Sequence, residues 1–155
     1  MRSRTVLKII GKLLMMIGIS MIFPLIWAFY YGEKESLVFI ACILITFLSG
    51  YGLSEIKSKD EGLRLIEGLG VVSLGWAAIS AFGALPFFLS GTLGYLDAYF
   101  ETMSGFTTTG ATVIMNIDIL PKSILFWRSM TQWIGGMGII VLAVAILPAL
   151  SIGGM

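Results

Sequence analysis

Residues 97–114 read DAYFETMSGFTTTGATVI: a short amphipathic stretch, Asp97 to Phe106, runs straight into Thr107-Thr108-Thr109-Gly110-Ala111-Thr112, with long apolar runs on either side. Asp97 to Phe106 predicts one helix of about 15 Å at roughly 1.5 Å per residue, half the depth of a bilayer. A helix of that length enters from one face and stops at mid-depth. Asp97 is expected to cap its N-terminus, with Glu101 close behind at the positive end of the macrodipole. The opposite end, with unpaired carbonyls, then points toward the membrane centre, and the hydroxyl-rich run follows it. Irregular backbone at membrane depth survives only where it lines a watery cavity or is buried in protein. The stretch therefore reads as a re-entrant pore loop on an ion pathway.

Composition supports a membrane setting. Of 155 residues, 57% are hydrophobic and only 12% charged, and the mean hydropathy is +0.97. A soluble domain of this size does not look like this. Four stretches approach or exceed the 20 or so helical residues that a span needs: Leu13 to Tyr31, Leu37 to Leu53, Leu69 to Leu89 and Ser123 to Leu147. The fold class expected is an all-α membrane protein of four transmembrane helices, with a re-entrant pore helix and filter loop between the third and fourth. No small-residue cleavage site follows Phe29-Tyr30-Tyr31, so the first apolar run is read as a retained span and not a signal peptide.

Charge placement gives an orientation and a division of the chain. Arg2, Arg4, Lys8 and Lys12 precede the first run, and Lys57, Lys59 and Arg64 lie between the second and third, against Lys34 alone between the first and second. By the positive-inside rule the N-terminus is cytoplasmic, in a multi-pass protein. The mixed-charge run Ser54 to Arg64 is read as a solvated linker with no site of its own. The organisation is then a two-helix hairpin over 1–53, a cytoplasmic linker over 54–64, a helix-loop-helix repeat over 65–150, and the start of a further connection over 151–155. A net charge of +1 gives no reason to expect a nucleic-acid partner. There is no histidine, and the single Cys42 forms neither an internal disulfide nor a thiolate metal site.

The residue types in the polar run suit monovalent cations. Potassium exchanges its hydration oxygens for backbone carbonyls and threonine hydroxyls at little net cost, without being held too tightly to leave. Gly110 permits dihedral angles that turn successive carbonyls toward one axis. An intramembrane enzyme is a poor alternative, since no span pairs a nucleophile with a base, and Asp97, Glu101 and Asp118 all fall near the outer surface.

FETMSGFTTTGATV, followed by LPKSILFWRSMTQWIGGMGIIVLAVAILPALSIGGM, resembles the first pore repeat of the Trk/Ktr/HKT superfamily of potassium transporters, and most closely the bacterial TrkH/TrkG type of membrane subunit. The resemblance runs through nearly the whole chain, the first two spans matching the extra N-terminal hairpin of that type. It implies potassium uptake across the cytoplasmic (inner) membrane through four such repeats around one pore, with potassium as substrate and no covalently bound cofactor. It implies as partners membrane lipid, the missing repeats or other copies of the chain, and a cytoplasmic nucleotide-binding Trk regulatory subunit. On it the chain is expected to be an N-terminal portion that stops short of the remaining repeats. The family's selectivity filter carries over onto Thr108, Thr109, Gly110 and Ala111, flanked by Thr107 and Thr112, with Gly110 as the selectivity glycine. A non-conducting assembly or regulatory subunit, or an inert fragment, is the alternative from another class.

The remaining features have mostly packing readings. Gly135, Gly136 and Gly138 follow no strand and lie mid-span, which favours close helix packing over phosphate binding. Gly105, at the end of the short helix, is expected to loosen it. Pro24 is expected to kink the first helix, Pro121 to suit the first turn of the fourth and Pro148 its end. Glu67 is read as an interfacial charge. Arg128 lies about 8 Å into the fourth span, where an ionised group either snorkels or finds a partner. Thr131, Gln132 and Gly135 share its helical face. Glu101 is its expected counter-charge, the two supporting the pore loop from behind.

Overall fold

The computed structural model describes residues 3–57 and 65–152, and all regular structure among them is helical. Seven helices follow in order: α1 (Ser3–Ser20), α2 (Ile22–Tyr31), α3 (Glu35–Ser54), α4 (Leu65–Gly83), α5 (Leu85–Leu89), α6 (Tyr95–Phe106) and α7 (Lys122–Ile152). Among the described residues, three stretches are long and apolar enough to cross a membrane: Ser3–Tyr31, Glu35–Ser54 and Ile66–Leu89. Helix α7 runs for 31 residues.

Two of these stretches are broken by proline in the same way. Pro24 has no N–H to give the carbonyl of Ser20, and its ring crowds that carbonyl. The helix yields at Met21, although the Met21 amide still reaches Ile17 and the Leu25 amide still reaches Met21, each at 3.2 Å. Pro86, in the first turn of α5, does the same to α4, and the interruption falls at Ala84. Pro148 behaves otherwise than expected: α7 continues helically past it to Ile152.

The N-terminal hairpin closes through Gly32, left-handed at φ 65°, with the Glu33 amide on the Ala28 carbonyl at 2.9 Å. Helices α1 and α3 pack together, with Val6, Ile10, Leu14 and Ile17 of α1 and Phe39, Cys42 and Thr46 of α3 all buried. Gly11 and Gly50 oppose each other so closely that a Cβ on either would lie 2.6 Å from the other's carbonyl oxygen. Helix α4 packs on α1, α6 lies between α4 and α7, and α2 packs on α7. Glu67, in the first turn of α4, is buried within the protein.

Ser54 of the expected linker belongs to α3, and residues 58–64, with Lys59 and Arg64, lie outside the described residues. So do Arg2 and residues 153–155, the last part of the expected connection.

Candidate functional site

Helix α6 begins two residues earlier than the sequence suggests and ends where expected, at Phe106. Gly94 is its cap residue, in extended conformation, and its carbonyl takes the Ala98 amide at 2.8 Å. Asp97 therefore sits inside the first turn and makes no capping hydrogen bond. A carboxylate there still favours the positive helix end.

The last two turns of α6 fit a slot cut from glycine on three sides. A Cβ at Gly83 of α4 would lie 2.8 Å from Thr102 Cγ2 and 2.9 Å from the Phe106 ring. A Cβ at Gly105 would collide with the Thr131 hydroxyl of α7, and one at Gly135 with the backbone carbonyl of Phe106. Gly105 is thus a point of close approach and not of slack. Trp127, fully buried, donates its indole N–H to the Gly83 carbonyl at 2.9 Å and meets Phe106 edge to face.

The end of α6 is closed, contrary to the expectation of free carbonyls. Thr107 N–H reaches Met103 O, Thr108 N–H reaches Gly105 O at 3.0 Å, and Thr109 N–H reaches Ser104 O at 2.9 Å. This is a Schellman pattern, whose left-handed position is normally glycine. Here it is Thr108, at φ 55°. A β-branched residue held there costs on the order of 1–3 kcal/mol, a strain that persists only when the surroundings impose it.

Three contacts impose it. The Ser104 hydroxyl donates to the Ala111 carbonyl at 2.7 Å, folding the loop back onto its own helix. Thr107 Oγ1 gives its proton to Met103 O at 2.7 Å, so Thr109 Oγ1, 2.8 Å away, must be the donor between the two hydroxyls. Glu101 does the most. Its carboxylate accepts from Thr112 Oγ1 at 2.9 and 3.1 Å, from the Val113 amide at 3.1 Å and from Arg128 Nε at 2.7 Å. The Glu101 side chain is 2% exposed and that of Arg128 19%.

The expected pair between Arg128 and Glu101 is therefore present, and the face it shares with Thr131 and Gly135 does turn toward α6. Gly138 packs on Trp76, while Gly136 meets only Thr108 Cγ2 at 3.8 Å, ordinary contact. Thr108, Thr109, Gly110, Ala111 and Thr112 are all exposed, and Gly110 is left-handed at φ 77° with nothing within 4 Å of where a Cβ would stand. Among the described residues no hydrogen bond reaches the carbonyls of Thr108, Thr109 or Gly110; that of Ala111 is engaged by Ser104. Sequence reasoning missed Ser104, the Val113 amide and Trp127. Only Ser104 carried a signal, as a small hydroxyl in the last turn of a helix that leads into a polar loop.

The family model described as TrkH, cation transport protein, matches residues 33–155. The potassium uptake protein TrkH of Halomonas elongata is 43% identical over the whole chain, and that of Escherichia coli K12 likewise 43%. The chain spans 33% of each of these relatives. The potassium uptake protein TrkG of Escherichia coli K12 is 40% identical over 97% of the chain. The crystal structure of the potassium transporter TrkH from Vibrio parahaemolyticus superposes with a TM-score of 0.90 at 40% identity, covering all of this chain and 34% of that one.

Proposed function

Because this chain belongs to the TrkH family of cation transport proteins, we propose that it supplies the first ion-selecting repeat of a potassium uptake system in the cytoplasmic membrane. The observation that carries this reading is the run of carbonyls from Thr108 to Gly110, on exposed residues and without a hydrogen bond among the described residues, on a loop whose other side is pinned. Oxygens in that state suit the replacement of an ion's hydration shell. Ala111 contributes through the lone pair that Ser104 leaves free, with Thr107 and Thr112 as flanking groups that set the loop's shape. Glu101 and Arg128 support the loop from behind.

In this reading α6 is a re-entrant pore helix and α7 the fourth crossing, entering at Lys122. The N-terminus is cytoplasmic, 1–53 forms a hairpin beside the repeat of 65–150, and 54–64 is a cytoplasmic linker. One loop supplies only part of an ion's coordination, so further repeats, or other copies, complete the ring. A cytoplasmic nucleotide-binding regulatory subunit is the expected soluble partner, and lipid surrounds the exposed apolar faces.

Growth of a potassium-uptake-deficient strain at low potassium tests the proposal, with the chain joined to the remaining repeats. Rescue by the native sequence, and loss of potassium preference in Gly110→Ser at equal protein level, is the expected result. Rescue that ignores every substitution from Thr108 to Gly110 would overturn it.

A further inference from the structure

We propose that Glu33, on the turn between α2 and α3, is a positioning residue for the ion-selecting loop, acting through α7; this rests on the potassium-selecting reading above. The Glu33 carboxylate reaches across about ninety residues of sequence to the first turn of α7. It accepts the Lys122 amide at 2.6 Å, the Ser123 amide at 3.0 Å and the Ser123 hydroxyl at 2.5 Å. Two of the orphan amides of a helix start are thereby satisfied by a charge that also suits the positive end of the dipole. A surface ornament would not bury its partner, and Ser123 is fully buried.

The consequence reaches further along the helix. A helix held at both Lys122 and Ser123 is fixed in height and in rotation, and Arg128 follows about 8 Å down the axis at roughly 1.5 Å per residue. Trp27 of α2 stacks on Phe126 at 5.3 Å between ring centroids, a second grip of the hairpin on the same turn and a half. Arg128 then meets Glu101 at 2.7 Å, and Glu101 holds Thr112 and Val113, the limb that returns from the loop. Through the start of α7, its axis and the Arg128–Glu101 pair, the hairpin is connected to the loop. The N-terminal hairpin is in this light a brace for ion selection and not an appendage.

The test uses this chain joined to the remaining repeats and reconstituted in liposomes, with rubidium and sodium flux measured at equal protein. Glu33→Ala should lower the rubidium-to-sodium flux ratio by about fivefold, the low end of what coupling between distant sites delivers. Its effect should not add to that of Glu101→Gln, because both act through one path. If Glu33→Ala fails to fold, Ser123→Ala removes a single hydrogen bond and should shift the ratio in the same direction by less. Hydrogen exchange gives a readout without flux: in Glu33→Gln the Val113 amide should lose protection although its hydrogen bond is to Glu101 of α6. A Gly110→Ser control separates the two claims. If Gly110→Ser changes the flux ratio while the Glu33 and Ser123 variants leave both it and Val113 protection unchanged, the brace is refuted and the filter reading stands. If Gly110→Ser also changes nothing, the filter reading is what fails.

Discussion

Arg128→Gln takes away the cation that neutralises Glu101 and leaves a carboxylate 2% exposed with only the Thr112 hydroxyl and the Val113 amide as donors. Breaking a buried pair from one side costs about 3–5 kcal/mol when the other charge stays uncompensated. Arg128 is 19% exposed, so water already reaches its head and can enter after it is shortened. The expected cost is therefore at or below the lower end, about 2–3 kcal/mol. Glu101→Gln fails for a different reason. Its amide presents a donor to either Arg128 Nε–H or Val113 N–H, both donors themselves, and one contact must be lost, again at about 2 kcal/mol. The double variant has no stranded charge, and a pair of glutamines can hydrogen-bond. Its cost should stay near 2–3 kcal/mol, well below the 4–5 kcal/mol of the summed singles, a coupling of about 2 kcal/mol. Denaturation of the complete transporter in detergent measures the three variants, and rubidium-to-sodium flux should follow the same order. Additivity within about 0.5 kcal/mol would mean the pair carries no shared energy, and the support assigned to it would be wrong.

Gly110→Ser places a side chain at φ 77° in space that is empty within this chain, so membrane insertion should be untouched while the left-handed backbone is disfavoured by about 1–2 kcal/mol; an unchanged rubidium-to-sodium ratio would refute the filter assignment. Gly135→Ala drives a methyl into the Phe106 backbone and should cost 1–3 kcal/mol or about that, whereas Gly136→Ala meets only Thr108 Cγ2 at 3.8 Å and should be neutral or gain up to about 1 kcal/mol from helix propensity. Equal yields of folded protein from the two variants would contradict this packing. The chain by itself should insert but not conduct, since one loop offers about a quarter of the oxygens an ion needs. Potassium flux that stays proportional to protein down to single chains per vesicle would contradict that.

The helices were legible because apolar runs of span length have few other uses, and the short helix because an amphipathic stretch too short to span runs directly into a polar loop. The misplacement of Asp97 comes from reading a capping residue type where the extended Gly94 had already started the helix. Gly105 misled for a related reason: a glycine near a helix end suggests slack, and only the position of Thr131 shows that nothing larger fits. The closed end of α6 runs against local propensity, since Thr is among the residues least suited to the left-handed position it fills. Arg128 and Glu101 could be paired from sequence because burial of one charge demands another. Glu33 could not, because nothing in a charged turn says which helix start, some ninety residues on, lies beside it.

The loop's strain and its anchoring compare on one scale. Thr108 in the left-handed region costs on the order of 1–3 kcal/mol. Against it stand the charge-assisted bonds of Glu101, each contributing about 1.5–3 kcal/mol, and the hydrogen bonds of Ser104 and Thr109 at about 1 kcal/mol each. The anchors exceed the strain. The anchoring has a direction: the Ser104 hydroxyl and the Glu101 carboxylate tie the loop to its own helix, while among the described residues the carbonyls of Thr108, Thr109 and Gly110 take no hydrogen bond. On the proposed ion-selecting reading, a loop fixed by Glu101 and Ser104 from behind would resist being drawn inward by sodium, so discrimination would depend on residues that never touch the ion.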